Sequence, residues 1–208
     1  MKNNLFILLF LLTGANFSHA QIIFGVRAGV NLADVNGKSE GESTNEFSKM
    51  IAGLNLGATA DINLNDNFYF QPGLSYSGKG FRLKRSVDFL NIDATTTLNY
   101  LEVPLNFGYK AGSFHIFAGP YVAFALSGKI KVGDESEKIK FGNNEEEDYL
   151  KGTDVGLNVG LGYQIKNFMI SAQYGLGFTN LVINGDSDNT ARNQVIGFSL
   201  GYEFPKKQ

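Results

Sequence analysis

The feature that most constrains this chain is alternation. In eight separate stretches, apolar side chains occupy every second position over roughly ten residues. In the first, residues 22–32, Ile22, Phe24, Val26, Ala28, Val30 and Leu32 are set against Ile23, Gly25, Arg27, Gly29 and Asn31. In the second, residues 52–64, Leu54, Leu56, Ala58, Ala60 and Ile62 oppose Gly53, Asn55, Gly57, Thr59 and Asp61. A period of two belongs to a strand with unlike faces, whereas a helix would repeat every 3.6 residues. The pattern returns at 68–80, 98–110, 114–127, 154–165, 168–179 and 195–204. The fifth stretch is the least polar on its second face, where Phe117, Tyr121, Ala123 and Ala125 stand. Pro72 blemishes the third, because proline removes a ladder donor.

The connections alternate in length. Tight turns are expected near Asn65-Asp66, Ala111-Gly112 and Lys166-Asn167, and long polar loops at 33–50, 81–97, 128–152 and 181–193. Such segregation of short and long connections is that of an up-and-down barrel of the outer-membrane kind. A soluble barrel of lipocalin type would turn the apolar faces inward. An eight-stranded barrel, however, has an interior just wide enough for side chains or one small ligand, and the large apolar residues would overfill it. The opposite faces carry many of the 25 glycines and nearly all the strand charges, as a narrow polar lumen requires. The fold expected is therefore all-β, an eight-stranded antiparallel up-and-down transmembrane β-barrel. At its short-turn end, Phe68, Tyr109, Phe114, Tyr163, Phe168, Tyr202 and Phe204 are placed to form an interfacial aromatic girdle.

Residues 1–20 read as a secretory signal peptide: Lys2 is the positive region, 5–12 the apolar run, and Ser18-His19-Ala20 the cleavage site. The apolar run is far shorter than the roughly 20 residues of a membrane-spanning helix. The barrel domain is then expected over 21–208, beginning at Gln21. Without Lys2 the net charge falls from −2 to about −3, which disfavours nucleic acid as a partner. The absence of cysteine excludes a disulfide framework, a thiolate site and a lipoprotein anchor.

Candidate chemistry is sparse. His115 is the one histidine after the signal, and a hydrolase built on it would need Ser171 or Ser199 together with a carboxylate. Arg27, Asp61, Glu102 and Glu203 form the inward charge set, with Arg27 and Glu203 on adjacent first and last strands placed to pair. Its expected role is structural, a polar network that fixes the barrel's register. The loop at 128–152 holds Asp134, Glu135, Glu137 and the run Glu145-Glu146-Glu147-Asp148, without the ligand order of a dedicated calcium loop. It reads as a solvated loop or a docking surface for a basic partner. Gly160-x-Gly162 lacks the third glycine of a dinucleotide fingerprint and lies inside an alternating strand. No cofactor, metal or catalytic residue is expected.

Several segments resemble the outer-membrane β-barrel family of Bacteroidota that includes PorT-type proteins. They are residues 70–80, FQPGLSYSGKG, residues 100–105, YLEVPL, residues 118–121, AGPY, residues 154–163 from Asp154 to Tyr163, and the closing residues 197–204, GFSLGYEF. The resemblance spans essentially the whole mature chain and makes Pro72, Pro104 and Pro120 family features. It implies residence in the outer membrane and, for PorT-type members, association with type IX protein secretion. Residues 205–208 displace the terminal aromatic of a barrel-assembly signal by four positions, and recognition by the barrel-insertion machinery is still expected. The function expected is a non-enzymatic envelope anchor, scaffold or secretion accessory. Its expected partners are outer-membrane lipid, lipopolysaccharide, the barrel-insertion machinery and envelope or secretion proteins. Two other readings are a narrow channel for small solutes, which needs a continuous wet lumen, and a surface lipid-modifying enzyme, for which His115 lies at the wrong end.

Overall fold

The computed structural model describes residues 22–44, 47–87, 90–142 and 149–205. The expected signal peptide, the acidic run 145–148 and the last three residues lie outside them. Eight long strands form the ring: β1 (Ile22–Ser39), β2 (Ile51–Asn63), β3 (Phe68–Val87), β4 (Leu90–Ala111), β5 (Phe114–Val132), β6 (Thr153–Ile165), β7 (Phe168–Gly177) and β8 (Thr190–Glu203). Each is antiparallel to its sequence neighbour, and β8 pairs with β1 from Gly25↔Glu203 to Lys38↔Thr190 to close the barrel. Closure removes the unpaired edges that an open sheet would expose. Three short strands, Glu42–Ser43, Ser48–Lys49 and Glu135–Lys138, add to β1, β3 and β5 at the long-hairpin end.

The short-turn end is built by local chemistry. Asn65 Oδ1 accepts hydrogen bonds from the backbone N–H groups of Asn67 and Phe68, at 2.9 and 2.8 Å, and fixes the β2–β3 turn. Gly112 and Lys166 take the left-handed conformation, with φ of 62° and 56°, that the β4–β5 and β6–β7 turns need.

The burial pattern is inverted relative to a water-soluble barrel. Phe24, Ile116 and Leu161 point out of the ring and are 62, 61 and 62% exposed, whereas Lys79, Asp154 and His115 point in and are 2, 0 and 1% exposed. An apolar band of this kind is stable only against hydrocarbon, since apolar area in water costs roughly 25 cal/mol per Å². At its short-turn edge lie the cross-strand aromatic pairs Phe68–Tyr109, Phe114–Tyr163 and Phe168–Tyr202, with ring centroids 5.0, 4.8 and 5.1 Å apart. Phe204 extends the last pair at 5.5 Å from Tyr202. The girdle expected from sequence is thus a row of directly opposed residues.

The three barrel prolines sit where the ladders break. The β2–β3 pairing skips from Thr59↔Gly73 to Ile62↔Phe70 around Pro72, and the β4–β5 pairing skips from Pro104↔Tyr121 to Phe107↔Ala118. Proline has no N–H to donate, so each break sits at a point where the ladder is short of a donor.

The long connections differ from expectation. Residues 81–97 are expected as a loop, yet β3 and β4 stay paired to Val87↔Leu90. In the same way β1 runs on to Ser39, and β5 to Val132, where Glu135–Lys138 pairs back onto it. Beyond the apolar band the outer face of a strand turns polar while the inner face stays buried at Ala33, Val35, Thr96 and Leu98, so the outward-apolar alternation stops while the backbone ladder continues. At this end the mouth is covered. Leu98, Tyr100, Tyr121, Ala123, Ile139 and Leu181 form a buried apolar cluster, flanked by Phe141, Leu150 and Ala191. Backbone bonds tie it down, from Lys151 N–H to the Leu181 carbonyl at 2.9 Å and from Leu181 N–H to the Ala191 carbonyl at 2.8 Å.

Candidate functional site: the polar lumen

Glycines on the lumen face make room for rings. Tyr69 lies directly opposite Gly108, Phe117 opposite Gly160, and Tyr121 opposite Gly156. A Cβ at Gly108 would come within 2.1 Å of Tyr69 Cζ, one at Gly160 within 2.3 Å of Phe117 Cζ, and one at Gly156 within 2.5 Å of Tyr121 Cε1. Each ring therefore covers the bare backbone of the neighbouring strand and occupies the lumen. These rings explain the weak polarity of the fifth alternating stretch.

Above the rings, toward the long-hairpin end, Lys79 of β3 is the hub. Its Nζ lies 2.9 Å from Glu102 Oε2 on β4 and 3.2 Å from Asp154 Oδ2 on β6, with all three side chains almost fully buried. Asp154 Oδ2 also accepts from the Tyr121 hydroxyl at 3.0 Å and from Asn193 Nδ2 at 2.9 Å. Glu102 Oε1 accepts from Asn158 Nδ2 at 3.4 Å. The ammonium stands 4.2 Å from the centroid of the Tyr121 ring and 5.3 Å from that of Tyr100. Two carboxylates, two ring faces, one cation and the Asn193 amide thus bridge β3, β4, β5, β6 and β8 across the bore. A charge at such depth persists only when paired and hydrogen-bonded.

The four inward charges singled out in the sequence all face the lumen, but they do not meet one another through hydrogen bonds or ion pairs. Arg27 is a correction in its partner: the β1–β8 register sets it opposite Gly201, while Glu203 stands opposite Gly25. Arg27 Nη2 reaches across and donates to Ser75 Oγ at 2.9 Å. Glu203 Oε2 instead accepts from Gln164 Nε2 at 2.7 Å, and Asp61 Oδ1 accepts from Gln71 Nε2, also at 2.7 Å. Glu102 alone joins the hub. Lys79 and Asp154 both sat on inward positions of the alternation, and only their contact across the bore separates them from the other inward polar residues.

At the short-turn end Lys110 Nζ donates to Asn63 Oδ1 at 3.0 Å and lies 4.8 Å from the centroid of Tyr69. His115 packs near the same ring, at 5.7 Å. Among the described residues, neither of its ring nitrogens meets a partner in hydrogen-bond geometry. Ser171 and His115 both stand opposite Gly162, on either side of β6. Two strand spacings, about 10 Å, therefore separate their backbones. Ser171 Oγ is instead 2.8 Å from Ser199 Oγ. Among the described residues no group of three or more His, Cys, Asp or Glu is placed to hold a metal ion. Between the two charged levels is a cavity of about 40 Å³, lined among others by Arg27, Gln71, Phe117, Ser199 and Glu203. It is large enough for a few waters only.

Comparison with solved structures places the fold among small outer-membrane barrels. Neisserial surface protein A (NspA) superposes with a TM-score of 0.52 at 12% identity, covering 87% of this chain and 97% of that one. The Yersinia pestis attachment invasion locus protein Ail aligns with a TM-score of 0.46 at 16% identity, over 88% of this chain and 98% of that one. The outer membrane protein W of E. coli gives 0.40 at 19% identity, over 89% and 100%. At such identities the likeness to NspA is one of fold. Comparison with the curated proteins gives no match. A family model described as the outer membrane protein beta-barrel domain matches residues 16–182, the greater part of the chain. With the closed ring, the outward apolar band and the polar lumen, that match shows that the chain belongs to the outer membrane protein β-barrel domain family.

Proposed function

We propose that this barrel is a non-enzymatic, non-conducting anchor or scaffold of the outer membrane, with its long hairpins turned to the cell exterior as the surface that meets partners. The observation that carries this reading is the double obstruction of the lumen: the Lys79, Glu102, Asp154 and Tyr121 hub, and above it the apolar cluster around Leu98 and Leu181. A diffusing solute would have to break buried ion pairs and displace packed rings. Within this reading the PorT-type resemblance favours an accessory role in protein secretion, with envelope or secretion proteins as partners. We also assign residues 1–20 to a signal peptide cleaved before Gln21, and insertion to the barrel-assembly machinery.

The test uses the chain expressed with its first twenty residues. Outer membranes are isolated and gel mobility is compared with and without boiling, and the purified protein is then placed in planar bilayers. The expected result is a faster unboiled band in the outer-membrane fraction, an N-terminus at Gln21 and no resolved conductance steps. Regular steps would replace the anchor with a solute channel. A soluble protein without a mobility shift would overturn the membrane reading altogether.

A further inference from the structure

Just above the apolar band the outer surface changes character. On β4, Leu101 is the last large apolar outward residue, and Asn99, Thr97, Thr95 and Asp93 follow at the same alternating positions. Register carries these positions around the ring: Thr97 is opposite Lys129 and Thr95 opposite Lys131 on β5, while Arg82 is opposite Thr95 and Lys84 opposite Asp93 on β3. Lys49 stands opposite Arg82, and Lys138 opposite Lys129. Directly opposed residues share a face, so these cations point outward with Thr95 and Thr97, toward the space beside the barrel. Thr97 is four residues beyond Leu101, about 13 Å along the strand and about 10 Å along the barrel axis at the usual tilt. That is the level at which headgroups stand beside a hydrocarbon band. The chain as a whole is net negative, so the basic arc does not follow from composition.

Two observations select one part of this arc. Lys129 and Lys138 are directly opposed like charges, an arrangement that is destabilising unless an anion lies against both. They also border a surface groove of about 590 Å³ whose lining includes Leu126, Ile139 and Phe141 together with Asn99 and Ser127. This volume lies within the range of small-molecule sites, roughly 300 to 1,000 Å³. Ile139 and Phe141 pack over the lumen side of Gly128 as part of the mouth cover, so the outward apolar wall of the groove is Leu126, which continues the membrane band; with a cationic rim at headgroup height it suits an amphiphile with an anionic head.

We propose that this groove binds a phosphorylated glycolipid of the outer leaflet, its phosphate between Lys129 and Lys138 and an acyl chain against Leu126. The inference rests on the orientation given above, with the long hairpins outside. It is tested with the refolded full barrel in detergent, by native mass spectrometry with diphosphorylated lipid A as the probe and dephosphorylated lipid A and phosphatidylcholine as references. The wild-type barrel is expected to retain the diphosphorylated lipid preferentially. The double variant Lys129→Gln, Lys138→Gln is expected to lose at least about tenfold in that preference, given roughly 1 kcal/mol per cation at an anionic surface. Lys166→Gln, which removes a cation at the short-turn end, is expected to leave it unchanged. In lipid-free detergent the double variant is expected to melt no lower than wild type, because a repulsion has been removed. Equal retention of phosphorylated and dephosphorylated lipid, loss of binding in Lys166→Gln as well, or an unchanged double variant would each overturn the site. Heat-modifiability of the same preparations separates this outcome from failure of the barrel itself: a shifted band without lipid preference removes only the groove.

Discussion

Lys79 carries an asymmetric burden. It is within 3.2 Å of both Glu102 and Asp154, so its removal leaves two buried carboxylates facing each other across the bore. Lys79→Met is therefore expected to destabilise the barrel by about 3 to 5 kcal/mol, the usual cost of breaking a buried ion pair from one side. Glu102→Gln keeps Lys79 beside Asp154 and is expected to cost markedly less. Urea unfolding of the refolded barrel, followed by the unboiled band, compares the two, and equal losses would show that the hub is not organised around the lysine. The ring-over-glycine pairs give a second expectation. Gly108→Ala sets a methyl against Tyr69 and is expected to cost about 1 to 3 kcal/mol by overpacking. In the double variant Gly108→Ala, Tyr69→Ala, the two losses are expected to sum to less than their separate values, since the clash is gone. Strict additivity would mean that ring and glycine do not interact. At this scale the alternation showed which side chains enter the lumen but not which of them meet. Lys79 and Asp154 lie 75 positions apart, and their contact depends on the stagger of strands around the ring. One strand pattern read alone holds no information on that stagger, which is also why Arg27 and Glu203, on adjacent strands, miss each other by two residues of register.

The paired extension of β3 and β4 beyond the apolar band is the element whose behaviour is least tied to the barrel. Arg82 Nε donates to Asp93 Oδ1 at 2.6 Å, and Lys84 Nζ is 3.6 Å from Asp93 Oδ2. The hydrogen bonds from Arg82, followed by its charge, hold the Asp93 carboxyl below the ordinary carboxylate range. A folded-state value below the unfolded one means that this pair favours the paired hairpin above about pH 4, and that the contribution is lost as the pH falls further. The pair is exposed, so the effect is local and weakened by salt. Amide protection factors, taken relative to the intrinsic exchange rate at each pH, are expected to fall in residues 81–84 and 93–97 below about pH 4, while the β6–β7 ladder stays protected. Asp93→Asn is expected to lower that protection at neutral pH and to remove its dependence on acid. Acid-independent protection in the wild type would discount the pair. The extension also marks where sequence patterning stops reporting structure. Alternation records a contrast between lipid and lumen, so its end at Gly80 marks the edge of the band, while hydrogen bonding carries the strands on to Val87.

For the molecule as a whole the decisive contact is the one that closes the ring. The pairing of β1 with β8 joins residues 25–38 to 190–203, so closure must bring together segments separated by most of the chain. Until it forms, β1 and β8 present unpaired N–H and C=O groups, each costing several kcal/mol in hydrocarbon. Seven correct strands are therefore not seven-eighths of a barrel. A chain ending at residue 189 keeps every residue of the Lys79 hub except Asn193, and every strand but β8, yet it is expected to show no unboiled mobility shift and to be degraded rather than accumulate in the outer membrane. Shortening the β7–β8 connection within 182–188 touches neither ladder and is expected to leave the shift intact unless the Leu181 cover is disturbed. The same comparison tests the obstruction of the lumen. If the cover over Leu98 and Tyr100 alone blocked the bore, replacing Leu181 with Ser would open it to ions. With the Lys79 hub and the Phe117 and Tyr69 rings beneath still in place, bilayer recordings of Leu181→Ser are expected to stay silent. Steps from Leu181→Ser alone would show that the hub is permeable and that the cover is the true gate.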